Sequence, residues 1–238
     1  MMIRRLIMML ATAAAIGAAA QVPATDEAMV EATDSLALES EDTYNAYTGS
    51  PAMDAFINAP VEVFPSIDPM TRMDMADYFN SGSPKPSKNV FKGDCRIVSA
   101  SPAQVTVATT EASQAEISIL PAKGDSIIMV ITTLDTPVPD SSVSFYTYPE
   151  WKPIEKELFA MPGLDEWTVG GNATPRADIE NAVPFILARI TYDPASDALT
   201  LENKLGEFLP AESRDIVKGA LTDTLVYQWD GRRMVPRK

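Results

Sequence analysis

The chain of 238 residues contains no histidine. This absence excludes catalysis by Ser-His-Asp and Cys-His arrangements and removes the usual general base near neutral pH. It also excludes most zinc sites, which depend on histidine or on several cysteines. Carboxylate chemistry and oxygen-ligated calcium or magnesium stay open, because neither needs an imidazole.

Cysteine is nearly absent as well, since Cys95 is the single one in the sequence. One cysteine cannot form an intramolecular disulfide bond. Cys95 stands at the start of a predicted strand, and the chain offers no histidine that would activate its thiol as a nucleophile. We therefore predict a buried, inert thiol.

Basic residues are scarce: 19 lysines and arginines face 33 acidic residues, which gives a formal net charge of −14. A chain with this balance repels nucleic-acid phosphates and anionic membrane surfaces. We therefore expect no nucleic acid among its partners.

The first twenty residues have the pattern of an export signal. Arginines precede an apolar, alanine-rich run, and Ala18 and Ala20 have the A-x-A spacing of a cleavage site. The run is short for a membrane-spanning helix, which needs about 20 strongly apolar residues. We predict a signal peptide over residues 1–20 and an exported protein in the periplasm or cell exterior, with a membrane anchor as the alternative.

Residues 21–49 carry seven acidic residues and neither lysine nor arginine. Such a segment buries too little apolar surface to offset its ordering entropy, so we predict a flexible acidic leader. Residues 50–238 are then expected to form a single α+β domain.

Two dipeptides, Ser50-Pro51 and Asp68-Pro69, combine a helix N-cap with proline at the first helical position. They predict one helix that ends before Pro60 and a second that runs to about Phe79. The methionines of the second helix are expected to fill the core rather than to bind a metal. They are Met70, Met73 and Met75.

A period of two replaces the helical period after residue 87. The apolar run Ile127–Ile131 is typical of a central strand buried on both faces. The pattern predicts the α+β class, with an antiparallel β-meander sheet of four or five strands packed against a few short helices. One short helix is expected near residues 155–159, and Asp230-Gly231 indicates a final hairpin.

Three groups of polar residues invite a chemical interpretation. Asp193 and Asp197 flank a proline turn, where a capped turn is expected rather than a calcium loop. Asp74 and Asp77 share a helix face, where solvation is a simpler explanation than acid–base catalysis. A Ser-Lys hydrolase motif fails on spacing, because no serine between residues 81 and 87 is followed by lysine three residues later. We therefore assign no catalytic residue and no metal ligand.

Aromatic residues near the ends of two predicted strands are the candidate binding site. Tyrosine and tryptophan on an exposed face make good contacts for a sugar, a peptide or a protein. Packing in the core is the alternative explanation. The five residues are Tyr146, Tyr148, Trp151, Tyr227 and Trp229.

From Met53 onward the chain resembles a family of uncharacterised exported proteins of Bacteroidales bacteria, a domain of unknown function. The resemblance implies export and a mixed α and β domain, and it supplies no catalytic residue. It rests on an ordered series of segments, namely Met53–Pro60, Met73–Phe79, Ile119–Pro121, Ser144–Tyr146 with Trp151, and Val226–Arg232.

These observations lead to two functional hypotheses. The first is an exported binding or envelope-associated module without a cofactor, whose partner is an envelope protein or a glycan. The second is a carboxylate-dependent hydrolase that acts on envelope or dietary polymers. A cleft with two convergent carboxylates would favour the hydrolase, and an exposed aromatic patch would favour the binding module.

Overall fold

The computed structural model of the chain describes residues 49–83, 85–154 and 156–237. The predicted signal peptide and all of the predicted acidic leader except Gly49 lie outside the described residues.

Two helices open the described part of the chain, α1 (Pro51–Ile57) and α2 (Pro69–Asn80). The Ser50 side chain accepts a hydrogen bond from the Met53 backbone N–H at 3.3 Å. At α2, one Asp68 carboxylate oxygen accepts from the two backbone N–H groups of Met70 and Thr71. Both predicted caps are therefore confirmed, since each satisfies helix N–H groups that have no partner within the helix.

The buried face of α2 differs in part from the prediction, since Met75 is buried in the core as expected. Met70 and Met73 are 68% and 49% exposed, so assigning them to the core was wrong. Arg72 is buried in their place, and its Nη1 donates to the carbonyl of Phe56, in the last turn of α1, and to that of Ala59, two residues after α1. A cation that satisfies carbonyls at the C-terminal end of a helix is favourable, and these hydrogen bonds offset part of the cost of burying Arg72 on this face of α2.

A six-stranded antiparallel sheet follows, in which the strands lie in sequence order. The predicted meander is confirmed, and a short edge strand precedes it. The strands are β1 (Ser87–Lys88), β2 (Asp94–Ala100), β3 (Gln104–Thr110), β4 (Ser113–Leu120), β5 (Ile127–Leu134) and β6 (Asp140–Thr147).

Strand β5 is buried on both faces, as its apolar run predicts. Ile128 and Val130 belong to a first core between this sheet and the helices α1 and α2. Met129 and Ile131 belong to a second core on the opposite face. The six-stranded sheet therefore separates two hydrophobic cores.

The second core is closed by a four-stranded antiparallel sheet with the order β10-β9-β8-β7. Its strands are β7 (Ala188–Asp193), β8 (Ala198–Asn203), β9 (Thr224–Trp229) and β10 (Met234–Pro236). Short helices stand before β7 and between β8 and β9 in the sequence, namely α3 (Leu164–Trp167), α4 (Arg176–Ala182), α5 (Leu205–Phe208) and α6 (Ala211–Val217).

The helix predicted near residues 155–159 is wrong. Residues 156–159 lie in no helix, and the backbone carbonyl of Leu158 accepts a hydrogen bond from the Met234 N–H at 2.8 Å. Leu158 is buried in the second core. This long-range contact holds the segment in an irregular conformation along the edge of β10.

Strand β7 joins the two sheets through side chains of the six-stranded sheet. Three N–H groups on its outer edge donate to these side chains, and Gln104 Nε2 in turn donates to the Tyr192 carbonyl at 2.9 Å. An edge strand satisfied in this way cannot pair with another chain. The three pairs are Ala188 with Asp140 at 3.3 Å, Ile190 with Ser141 at 3.0 Å, and Tyr192 with Glu116 at 3.3 Å.

Glu116 is a buried carboxyl group in this interface between the sheets. Burial raises its pKa, against the smaller opposing effects of the Tyr192 N–H and the Arg189 charge. A carboxyl whose pKa is raised by folding stabilises the fold below its unfolded pKa, and this contribution is lost as the pH rises through the folded pKa.

We expect Glu116→Gln to remove this pH dependence. Urea unfolding is measured from about pH 4 to about pH 7, a range that starts near the ordinary glutamate pKa of about 4.3. The stability of the wild type relative to the variant should fall as the pH rises. Glu111→Gln is the control, because Glu111 is exposed. If the difference in the free energy of unfolding between the wild type and Glu116→Gln does not change with pH across this range, folding does not raise the pKa of Glu116.

Cys95 lies on β2 and points into the first core, where it is 1% exposed. The predicted burial of the thiol is confirmed. Burial, followed by the charges of Asp94 and Asp68, raises the pKa of Cys95 to about 11. Little reactive thiolate is therefore present near neutral pH.

We expect the native protein to react with iodoacetamide at about pH 8 at least about 100-fold more slowly than the same chain in guanidinium chloride, since an ordinary thiol has a pKa of about 8.5. Mass spectrometry of the alkylated chain over time gives both rates. Equal rates in the two conditions would show that the first core opens readily at β2.

Candidate functional site

The five predicted binding aromatics lie in two separate groups on opposite faces of the six-stranded sheet. Tyr146, Tyr148 and Trp151 pack on the first core, whereas Tyr227 and Trp229 belong to the second. Because the six-stranded sheet lies between the two groups, the aromatic residues near the ends of β6 and β9 do not form one aromatic patch.

Both tryptophans are only 5% exposed. Trp151 packs against Tyr146 with ring centroids 5.1 Å apart, and the Trp229 Nε1 donates to the Pro121 carbonyl at 2.7 Å. Tyr227 meets Phe159 edge-on with centroids 5.2 Å apart. These contacts agree with the packing alternative for the tryptophans, while a binding role for the five aromatics stays a prediction.

Two of the five, Tyr146 and Tyr227, line surface grooves. The first, here the β6 groove, has a volume of about 480 Å³ and lies along residues 143–146 of β6. The second, here the β10 groove, has a volume of about 340 Å³ and lies along residues 233–236 beside β10. Residues Glu157–Phe159 line both grooves and thus form their common wall.

The two grooves combine apolar walls with charges of both signs. Lys156 and Glu157 line the β6 groove, while Glu157, Glu166 and Arg233 line the β10 groove. Burial, followed by the Glu166 charge, raises the pKa of Tyr227. The tyrosine hydroxyl therefore stays neutral and available as a hydrogen-bond donor or acceptor near neutral pH.

The edge of β10 does not favour strand addition by a partner. The Met234 N–H already donates to Leu158, and Pro236 has no N–H. A partner of the β10 groove would therefore be recognised through side chains rather than by extending the sheet. The local sequence pattern predicts a helix around Phe159 and so does not mark these residues as part of a groove. No local pattern marks the contact of Leu158 with Met234 either.

The carboxylates at these positions bear on the hydrolase hypothesis. Glu157 and Glu166 are exposed, whereas the general acid of a carboxylate-dependent hydrolase lies in desolvated surroundings. Among the described residues, Glu116 is the buried carboxylate, and its Oε2 already accepts from the Tyr192 N–H. Asp74 and Asp77 of α2 are likewise exposed.

The turn between β7 and β8 is stabilised by its own side chains. Asp193 accepts from the Ser196 hydroxyl and from the Ala195 N–H at 3.0 Å, and these bonds lower the pKa of Asp193. The Tyr192 hydroxyl donates to Asp197 at 2.8 Å. In the part of the chain that the structure describes, no group of three or more His, Cys, Asp or Glu side chains could hold a metal ion.

None of the helices among the described residues is both long and apolar enough to cross a membrane. A domain of an uncharacterised protein from Porphyromonas gingivalis W83 has a similar structure, with a TM-score of 0.66 and 22% sequence identity. The match covers 77% of this chain and 97% of that domain, and it shows the fold. No curated protein matches the chain.

Residues 47–234 match a family described as "Protein of unknown function (DUF3256)". The match includes all the helices described above and strands β1 to β9, and it ends at Met234, the first residue of β10. The chain therefore belongs to this family of unknown function.

Proposed function

We propose that the chain is an exported binding module that holds a segment of an envelope protein in the β6 and β10 grooves. One observation carries the proposal: residues Glu157–Phe159 form the wall of two adjoining grooves, and each groove also contains one of the predicted aromatics. Export is supported by the signal-like pattern of residues 1–20.

A polypeptide suits these grooves better than a glycan does. Their walls are built from Phe, Leu, Met and Pro side chains, and the charged residues of both signs can pair with charged side chains of a partner. The large ring faces that would stack on a flat ligand belong to Trp151 and Trp229, which are buried. An extended segment could place successive side chains in the two grooves.

We expect Met161→Asp to weaken binding of the partner at least about tenfold, because it places a charge in the apolar wall of the β10 groove. Met161 is 45% exposed, so the substitution leaves the core intact. The matched control is Met73→Asp on α2, where the methionine is 49% exposed and lines neither groove.

The measurement is a pull-down from envelope extract with residues 21–238 as bait, with captured proteins quantified by mass spectrometry. Proteinase treatment of the extract should abolish capture, whereas a captured glycan would survive it. A parallel bait that begins at Ser50 locates the site, because a partner lost with the leader would place binding in the acidic segment. Equal capture by the wild type and Met161→Asp would refute the groove as the binding surface.

A further inference from the structure

A third cavity, of about 310 Å³, lies away from both grooves, between α2 and the edge of the six-stranded sheet. It forms because β1 is only two residues long and pairs with Asp94 and Cys95 alone. The rest of β2 has no strand beside it on that edge among the described residues, and the last turns of α2 cover the opening. Its apolar surface is formed by Met75, Phe79 and Ile97.

The polar lining of this cavity is cationic. Lys85 and Arg96 line it, and no aspartate or glutamate does. Neither cation forms an ion pair with a carboxylate of the described residues. The nearby Asp94 is already paired with Lys88.

Hydroxyl groups complete the lining. Lys85 Nζ lies 3.5 Å from the Tyr78 hydroxyl and 5.3 Å from the centre of its ring, so the tyrosine holds the ammonium group at the cavity. Ser87 also lines the cavity and is 8% exposed, yet its Oγ has no hydrogen-bond partner among the described residues. A buried hydroxyl without a partner is costly, and a bound acceptor would remove that cost.

We propose that this cavity binds a small organic anion, with its carboxylate or phosphate group at Lys85 and Arg96 and its apolar body against Met75, Phe79 and Ile97. The Ser87 hydroxyl, which no hydrogen bond holds in place, turns to donate to the anionic group. A volume of about 310 Å³ fits a ligand with one ring or a short chain. This inference is independent of the function proposed for the grooves.

The test uses isothermal titration calorimetry of residues 21–238 with three probes that share a benzyl body: phenylacetate, benzyl phosphate and the neutral 2-phenylethanol. We expect at least one anion to bind at least about tenfold more tightly than the alcohol, since charge-assisted hydrogen bonds are the strong ones. Binding of phenylacetate alone identifies a carboxylate ligand, and binding of benzyl phosphate alone identifies a phosphate ligand.

Substitutions locate the binding. Arg96→Gln and Lys85→Gln each remove one exposed charge and should weaken anion binding at least about tenfold. Lys123→Gln and Arg232→Gln are the matched controls, because both side chains are exposed and neither lines the cavity. Ser87→Ala should weaken anion binding without lowering the Tm, since the hydroxyl makes no hydrogen bond in the described structure.

Three outcomes would overturn the proposal. They are the absence of binding by either anion, equal binding of the neutral alcohol, and anion affinity that Arg96→Gln and Lys85→Gln leave unchanged. Circular dichroism of each variant confirms that a lost signal reflects the site rather than the fold.

Discussion

The two sheets are held together by hydrogen bonds from the backbone of β7 to side chains of the six-stranded sheet. A strand edge buried against another sheet needs partners for its N–H groups, and here Asp140, Ser141 and Glu116 supply them. Gln104 adds a bond to the Tyr192 carbonyl from the opposite direction. Because these contacts are directional, they fix the crossing of the two sheets more tightly than apolar packing alone would.

The surface features depend on this crossing. Trp229 reaches the Pro121 carbonyl from β9, and β10 holds the carbonyl of Leu158 through the Met234 N–H. The segment around Leu158 therefore follows the position of the second sheet. Residues Glu157–Phe159 of this segment form a wall of both the β6 groove and the β10 groove. The shape of both grooves therefore depends on how the second sheet packs against the first.

Local signals predicted most of the elements. Caps, prolines and alternation depend on neighbours a few residues away, which is why α1, α2 and the meander could be located from the sequence. The errors arose where a distant contact decides the outcome. Arg72 is buried on α2 with hydrogen bonds to the carbonyls of Phe56 and Ala59, and the Met234 N–H binds the carbonyl of Leu158, which lies in no helix. Neither contact leaves a periodic pattern in the sequence.

The candidate binding residues show the same contrast between local patterns, which the sequence reveals, and long-range contacts, which it does not. Alternation along β6 places Tyr146 on the first core and Phe145 on the second, but a strand's own period does not indicate that Tyr227 of β9 packs in the second core. The aromatic cluster seen in the sequence thus became two packing groups with one groove residue each.

The charged residues of the cavity beside α2 also come together only in the folded structure. Its lysine and serines stand close together in the sequence, where their spacing rules out a Ser-Lys hydrolase motif. Their meaning changes only when the antiparallel pairing of Ser87 with Cys95 brings Arg96 to the same opening. Met75 and Phe79 of α2 stand only a few residues before this loop, whereas Arg96 and Ile97 reach the cavity through the pairing of β1 with β2. The second cation of the proposed anion site therefore could not be assigned from sequence proximity.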